Sequence, residues 1–199
     1  METPKTIIFA GRSGCGKGTQ LKLLQTALMA ADPNRAVFSS ITGDMFRTFF
    51  TEGTYTSEHA KDITAQGKLQ PLFLTIWLWA NGLVKDFDPN KHLFIDGYPR
   101  RLEEAVAVDS MLSFYDRKDT IILNFVVSRE TSKERMLTRG RADDTAENAE
   151  TRLDWYDKEV APAIDYFRNK EGYIFVDIDG ERSIDEIHKD ILEKLNLTA

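Results

Sequence analysis

Residues that form disulfides or bind zinc are scarce in this chain of 199 residues, which has one cysteine and three histidines. The lone cysteine, Cys15, excludes an intrachain disulfide and every zinc site that needs four cysteines. The histidines, His59, His92 and His188, are scattered without the spacing of metal ligands, and we assign them no role.

Long apolar runs and an excess of positive charge are also missing. The N-terminal stretch is apolar for only a few residues, and the richest run, 72–84, is too short to span a bilayer. The chain has 26 basic against 32 acidic residues, a net charge of −6, which disfavours broad attraction to nucleic acid or to anionic membranes. We therefore expect a cytoplasmic protein that binds neither nucleic acid nor membrane.

The remaining composition, 42% hydrophobic and 29% charged, is that of a globular domain. Five short runs are rich in β-branched or aromatic residues and largely lack alternation, which is typical of strands buried on both faces. They are 6–10, 36–40, 92–95, 120–127 and 173–178. Helical patterns lie between them, so we predict an α/β fold, a three-layer sandwich in which helices cover both faces of a parallel sheet of about five strands.

Helices are predicted over 17–31, 44–50, 57–66, 71–84 and 145–169. Pro162 predicts a kink or break inside the last helix. Capping boxes are predicted at Thr131 with Glu134 and at Ser183 with Glu186. Because three helices fall between the second and third strands, we predict an insertion at the carboxyl edge of the sheet, where such folds bind ligands.

Residues 11–19, GRSGCGKGT, lie between the first strand and the first helix with the G-x-x-x-x-G-K spacing of a phosphate-binding loop. The glycines let successive backbone N–H groups point at one anion, and the helix N-terminus adds partial positive charge. Lys17 is placed to reach the terminal phosphates of a nucleotide. Gly18 follows the lysine, where a serine or threonine is usual, so Thr19 is the candidate hydroxyl on the magnesium side. The motif predicts a P-loop NTPase-type fold.

Asp96 ends the third predicted strand, in the segment HLFIDGYPR. A carboxylate there lies beside the phosphate loop in this architecture and holds Mg²⁺ through water. A plain Asp-Gly turn is the alternative interpretation. The phosphate loop favours the magnesium role.

Seven motifs then follow one another along the chain: GRSGCGKGT, TGDMFR, QGKLQP, DGYPR, RMLTRG, RADD and ETRL. Together they resemble the adenylate kinase family of nucleoside monophosphate kinases, in its short-lid form, over nearly the whole chain. The resemblance implies reversible phosphoryl transfer from ATP to AMP, giving two ADP, with Mg²⁺ and without zinc. It also implies a monomeric, single kinase domain over 1–199, with a core (1–41, 73–139 and 145–199), a monophosphate-binding insertion (about 42–72) and a short lid (about 140–144).

The resemblance implies the residues of the site as well. The ATP side would comprise Gly14, Cys15, Gly16, Lys17, Gly18, Thr19, Arg135, Arg139 and Arg182. The AMP side would comprise Thr42, Arg47, Lys68, Leu69, Gln70, Gly97, Tyr98, Pro99, Arg100, Glu104, Arg141 and Arg152. The catalytic set would be Lys17, Arg100, Arg139, Arg141 and Arg152, and the metal would bind Asp96 through water, with Thr19 beside it.

The residue types support this interpretation independently. Direct transfer between phosphates needs no nucleophilic side chain, only cations that neutralise spreading charge and align the reactants. Arginine suits this work because its planar guanidinium binds phosphate oxygens in pairs. For Arg135 and Arg152, a solvated surface charge carries about equal weight as an interpretation.

Three positions depart from the family pattern. Ser13 stands where proline is usual in the loop, the lid is reduced to a few residues, and Glu104 replaces a glutamine that reads adenine. Glutamate keeps the acceptor for adenine N6–H but loses the donor to N1, so GMP stays open as an acceptor. Pairing of Glu104 with Arg101 is the alternative, and Thr42 favours AMP over pyrimidine nucleotides.

Other functions also stay open. They are a kinase acting on GMP, CMP or UMP, a catalytically inactive nucleotide-binding regulatory protein, and a small-metabolite kinase on the same fold.

Overall fold

The sheet confirms the predicted fold class. The computed structural model describes residues 3–141 and 143–197. Its parallel strands are β1 (Thr6–Gly11), β2 (Val37–Ile41), β3 (His92–Asp96), β4 (Thr120–Val126) and β5 (Tyr173–Asp179), in the spatial order β2-β3-β1-β4-β5. The strands of this parallel sheet read as continuous apolar runs because β1, β3 and β4 are buried on both faces.

Helices cover both faces. They are α1 (Lys17–Ala31), α2 (Thr42–Phe49), α3 (Tyr55–Ala65), α4 (Leu72–Asp86), α5 (Leu102–Phe114), α6 (Arg129–Thr138), α7 (Ala146–Trp155), α8 (Ala161–Asp165) and α9 (Ile184–Lys194). On one face the strands pack against α4, α5 and α8, and on the other against α1 and α9. Within the described ranges, no helix is long and apolar enough to cross a membrane.

Two local predictions need correction. Helix α6 begins earlier than Thr131, because the hydroxyl of Ser128 accepts from the Thr131 N–H at 3.1 Å and makes Ser128 the N-cap. The predicted box at Thr131 and Glu134 is therefore wrong. The box at Ser183 and Glu186 is confirmed, with each side chain accepting from the other residue's backbone N–H.

The helix predicted over 145–169 is shorter and broken. Helix α7 passes into a π-helical turn, Tyr156–Val160, and α8 follows and ends at Asp165. The break lies before Pro162, which occupies the first turn of α8. Proline is tolerated there because the N–H groups of the first turn have no partner within the helix.

Helices α2, α3 and α4 all lie between β2 and β3 in the chain and share a small core of Phe49, Ala60, Leu74 and Leu78. Helix α2 starts at Thr42, directly after β2. In the parallel register Ile41 and Phe9 both pair with Asp96. The phosphate loop, Asp96 and the start of α2 therefore follow three neighbouring strands at one edge of the sheet.

Candidate functional site

The loop after β1 has the backbone of an anion cradle. Gly14 has a φ of +84°, and a Cβ there would lie 2.6 Å from the Ser132 carbonyl oxygen, so only glycine fits against α6. Gly16 is the N-cap of α1 and makes no side-chain cap, which leaves the first amides of that helix without a side-chain acceptor. Gly18 and Thr19, in the first turn, are exposed. These features suit phosphate bound at the helix N-terminus.

Lys17 is held across this loop. Its Nζ donates to the carbonyl oxygens of Gly11 at 2.7 Å and Arg12 at 2.8 Å, and lies 3.3 Å from the sulfur of Cys15. Cys15 itself is fully buried in the core under α1. The cysteine therefore offers the site its backbone, whereas the lysine keeps a positive charge at the mouth of the loop.

Asp96 ends β3 beside the loop, and its Oδ1 is buried without a hydrogen-bond partner. A buried carboxylate oxygen without a donor is costly unless a cation or water meets it, so this atom fits the Mg²⁺ role. Among the residues that the structure describes, no group of three or more His, Cys, Asp or Glu could hold a metal ion. A site completed by nucleotide phosphates and water needs no such group.

Arg100 is fixed from three sides. Its Nε donates to the Gly97 carbonyl at 2.7 Å, its guanidinium lies 5.3 Å from the centre of the Trp155 ring, and its backbone N–H donates to Glu104 Oε2 at 2.8 Å. Burial lowers the pKa of the Arg100 guanidinium, and the charges of Glu104 and Asp96 oppose that shift. A guanidinium keeps its proton under such conditions, so Arg100 presents a preformed, poorly solvated cation.

Glu104 is completely buried. Its contacts bear on whether it pairs with Arg101 or is free to contact the acceptor base. Its Oε1 has no hydrogen-bond partner and lies 3.6 Å from Arg101 Nη1. Burial raises the pKa of the Glu104 carboxyl. The hydrogen bond from the Arg100 N–H and the charges of Arg100 and Arg101 oppose this rise. Arg101 therefore forms an ion pair with Glu104, as the alternative interpretation expected, and its Nη1 also donates to the Gln70 carbonyl at 2.9 Å. Glu104 is therefore anchored by one oxygen, whereas the other has no donor.

Two further arginines, Arg139 and Arg152, converge on Asp144. Arg139 donates to Asp144 at 2.5 and 2.8 Å, and Arg152 pairs with Asp144 at 2.8 Å and also with Asp143. Burial favours a raised pKa for Asp144, but the Arg139 hydrogen bond and the nearby arginine charges outweigh it and lower the pKa. The N-cap of α7 is Thr145, so the side chains of Asp143 and Asp144 serve the arginines rather than the helix start.

Arg141 belongs to the same group. Burial lowers the pKa of its guanidinium, as do the charges of Arg139 and Arg47. Arg47 lies on α2 of the insertion, where it pairs with Asp44 and is more than half exposed. A cation of α2 therefore lies close enough to one of the predicted lid for their charges to interact. Ala142 of that lid lies outside the described residues.

The insertion side of the site is built mainly from backbone. Thr42 is buried against Gly97, where any Cβ would overlap its hydroxyl. The Gln70 side chain points into the insertion and donates to the Ala60 carbonyl at 2.6 Å. Its backbone carbonyl accepts from Arg101. Lys68 donates to the Gln66 side chain in solvent.

Of the other predicted residues on this side, Leu69 is half-buried, and Pro99 and Tyr98 are buried. Tyr98 stacks on Trp79 and donates to the Ser40 hydroxyl at 2.7 Å. Its side chain therefore supports the loop before Arg100.

The two remaining arginines lie apart from the cluster. Arg135 donates to the Gly180 carbonyl at 2.8 Å, which joins α6 to the loop after β5. Arg182 pairs with Asp190 at 2.5 Å and lines a separate cavity of about 550 Å³ beside β5 and α9. The structure places the Arg182 side chain along α9.

Sequence reasoning missed Trp155 and Asn148 on α7. Trp155 lies over Arg100, and both residues hydrogen-bond the backbone just after α3. Neither belongs to a motif, and their partners are more than eighty residues away in the chain, so no local signal marks them.

Comparison with known proteins adds to this geometry. A family model described as adenylate kinase matches residues 9–172. An adenylate kinase of Corynebacterium aurimucosum is 36% identical over 94% of this chain and 97% of its own length. One of Corynebacterium urealyticum is 34% identical over 91% and 93%, and one of Prochlorococcus marinus is 32% identical over 96% and 98%.

Proposed function

Because the chain belongs to the adenylate kinase family, we propose that this site transfers a phosphoryl group reversibly between ATP and AMP, with two ADP as the product. The observation that carries the proposal is the convergence of a phosphate loop with cations from the insertion, from the loop after β3 and from the segment around α7. Cys15, the one thiol of the chain, is buried, so a direct transfer without a covalent enzyme intermediate fits the residues.

The phosphate loop binds the triphosphate. Its amides and the α1 N-terminus meet the phosphate oxygens, and the Lys17 ammonium leaves its carbonyl partners to follow the transferred group. Arg139 approaches from the same side. These groups are charged before the reaction begins, so charge that develops on the transferred group meets donors already in place.

The arginines on the other side align the acceptor. Arg47 and Arg100 hold the monophosphate, and Arg141 and Arg152 bridge the two nucleotides. Asp143 and Asp144 keep Arg139 and Arg152 in fixed orientations, so less side-chain entropy is lost when phosphate binds. Alignment of the two phosphates in this way is the main source of acceleration for a transfer that needs little acid–base chemistry.

Mg²⁺ belongs to the proposal through Asp96 and Thr19. The unpaired Oδ1 of Asp96 would hold the ion through water, and the exposed Thr19 lies in the first turn of α1, next to the phosphate loop. The ion, when bound, neutralises charge on the phosphates that are being exchanged.

The acceptor base is read at Glu104. Its Oε2 accepts from the Arg100 amide, so Oε1, which pairs with Arg101 at 3.6 Å and has no hydrogen bond, is the oxygen left to contact a base. The ionised carboxylate repels the lone pair of adenine N1 and accepts from guanine N1–H, whereas a glutamine would donate to adenine N1. Thr42 favours AMP over pyrimidine nucleotides, and AMP is the expected best acceptor, with GMP second.

An acceptor panel with the purified chain tests this proposal. ADP formation from ATP is measured with AMP, GMP, CMP and UMP, for the wild type and for Glu104→Gln. A glutamine keeps the acceptor for Arg100 N–H and places an NH₂ donor at the free position, so kcat/KM for AMP over GMP rises by about tenfold, the equivalent of one buried hydrogen bond.

Three results would contradict it. An unchanged or lowered ratio in Glu104→Gln means that Glu104 does not read the base. A pyrimidine nucleotide as best acceptor favours the alternative monophosphate kinases, and no transfer to any acceptor favours a regulatory nucleotide-binding protein.

A monomeric state and a cytoplasmic location complete the proposal. Light scattering with and without nucleotide tests the first, and fractionation of the source cells tests the second.

A further inference from the structure

The turn after α3 is docked against α7. The Trp155 indole N–H donates to the Gly67 carbonyl at 3.0 Å, and the Asn148 amide donates to the Ala65 carbonyl at 3.0 Å. These bonds join residues 88 and 83 positions apart. They connect the insertion directly to the helix that carries Arg152.

The docked surfaces approach closely at Gly67. Gly67 has a φ of +68°, and a Cβ there would lie 2.9 Å from Asn148 Oδ1 and 3.1 Å from the Asn148 Cα. Asn148 is itself buried. Any side chain at position 67 would therefore separate the insertion from α7.

Each of the two α7 residues also has a second partner in the site. The face of the Trp155 ring lies 5.3 Å from the Arg100 guanidinium, which is within the range of cation–π attraction. The Asn148 amide also donates to the Asp143 carbonyl at 3.1 Å, and Asp143 pairs with Arg152. Trp155 and Asn148 therefore each contact both the 65–67 segment and a residue beside an arginine of the site. Trp155 contacts Arg100 itself, and Asn148 contacts Asp143, the partner of Arg152.

We propose that Trp155 is a positioning residue for the monophosphate: it senses the docked insertion through Gly67 and fixes the Arg100 guanidinium through its ring. Arg100 cannot keep its place over the ring if the indole turns, and the indole turns when the Gly67 carbonyl leaves. AMP that closes the insertion thereby orients Arg100. This inference rests on the proposed transfer from ATP to AMP.

Two substitutions in the full chain separate the two contacts of Trp155. Trp155→Phe keeps an aromatic face for Arg100 and loses the donor to Gly67. It should raise KM for AMP by about three- to tenfold, the range expected for one hydrogen bond, and leave KM for ATP and kcat within about twofold. Trp155→Leu loses both contacts and should also lower kcat by about tenfold, because Arg100 loses its support.

A glycine pair tests the docking without touching Trp155. Gly67→Ala pushes Asn148 away, whereas Gly53→Ala has nearly the same φ, +66°, with no atom within 4 Å of the new Cβ. Both variants carry the same backbone strain. Only Gly67→Ala should raise KM for AMP relative to KM for ATP.

Other results would overturn the inference. An unchanged KM for AMP in Trp155→Phe, an equal rise of KM for both nucleotides, or equal effects of Gly67→Ala and Gly53→Ala would each make Trp155 a packing residue only. A wild-type chain that forms no ADP from ATP and AMP would overturn the proposed function instead, so the two failures are distinguishable.

Discussion

Among single residues, a substitution of Lys17 should affect catalysis much more than stability. The Lys17 ammonium contacts carbonyl oxygens of the phosphate loop rather than core side chains. We expect Lys17→Met to lower kcat by at least about a hundredfold through loss of preorganised charge, while the free energy of unfolding changes little. Lys22→Met, on the exposed side of the same helix, is the matched control and should keep wild-type activity. A wild-type kcat in Lys17→Met would contradict the assignment of residues 11–19 as the phosphate-binding loop of the active site.

His92 gives a pH-dependent test of stability far from the site. It is buried, and its Nδ1 accepts from the Lys5 N–H at 2.9 Å. Burial is the main reason that its pKa is lowered, with Asp32 opposing and Arg35 assisting the shift. The unfolded chain takes up the proton near pH 6.5 and the folded chain only at lower pH, so stability is full above about pH 6.5 and is lost below it.

Urea unfolding at pH 7.5 and 5.5 checks this expectation. The loss of stability between these pH values should be smaller in His92→Asn, which keeps an acceptor without a titrating group, and unchanged in His59→Asn, at an exposed position. Equal losses in wild type and His92→Asn would show that other groups set the pH dependence.

At the scale of elements, two substitutions distinguish the observed N-cap of α6, Ser128, from the capping box predicted at Thr131 and Glu134. Ser128→Ala removes the acceptor for the Thr131 N–H and should destabilise the protein by about 1 kcal/mol in urea unfolding. Glu134→Ala should change stability by less than about 0.5 kcal/mol, because the exposed Glu134 side chain does not make the box that the sequence pattern predicts. The reverse order of effects would restore that box.

The same element shows why some features are predictable from sequence and others are not. Apolar strands and the helix at 17–31 follow from local patterns that tertiary contacts do not override. Ser128 and Thr131 offer equivalent hydroxyls three residues apart, so the pattern alone does not choose between them. Trp155 and Asn148 acquire meaning only when the fold brings α7 to the turn after α3.

At the scale of the whole molecule, we predict that the insertion, residues 42–72, supplies most of the closing movement. The connection between α6 and α7 is too short to fold a large flap over ATP, whereas α2 and α3 share a small core with the start of α4. Crystal structures without ligand and with a bisubstrate analogue should differ more in residues 42–72 than in residues 139–145. An equal or larger displacement of the 139–145 segment would contradict this expectation.

The proposed transfer passes directly between two bound nucleotides, and the fate of the γ-phosphate of ATP distinguishes it from transfer through the protein. ATP labelled in that position is incubated with the wild-type chain, Mg²⁺ and AMP, and the products are separated. We expect the label in the β-phosphate of the ADP formed from AMP, one labelled ADP for each ATP consumed, with no labelled protein. Label released as free phosphate without AMP, or retained on the protein, would contradict it.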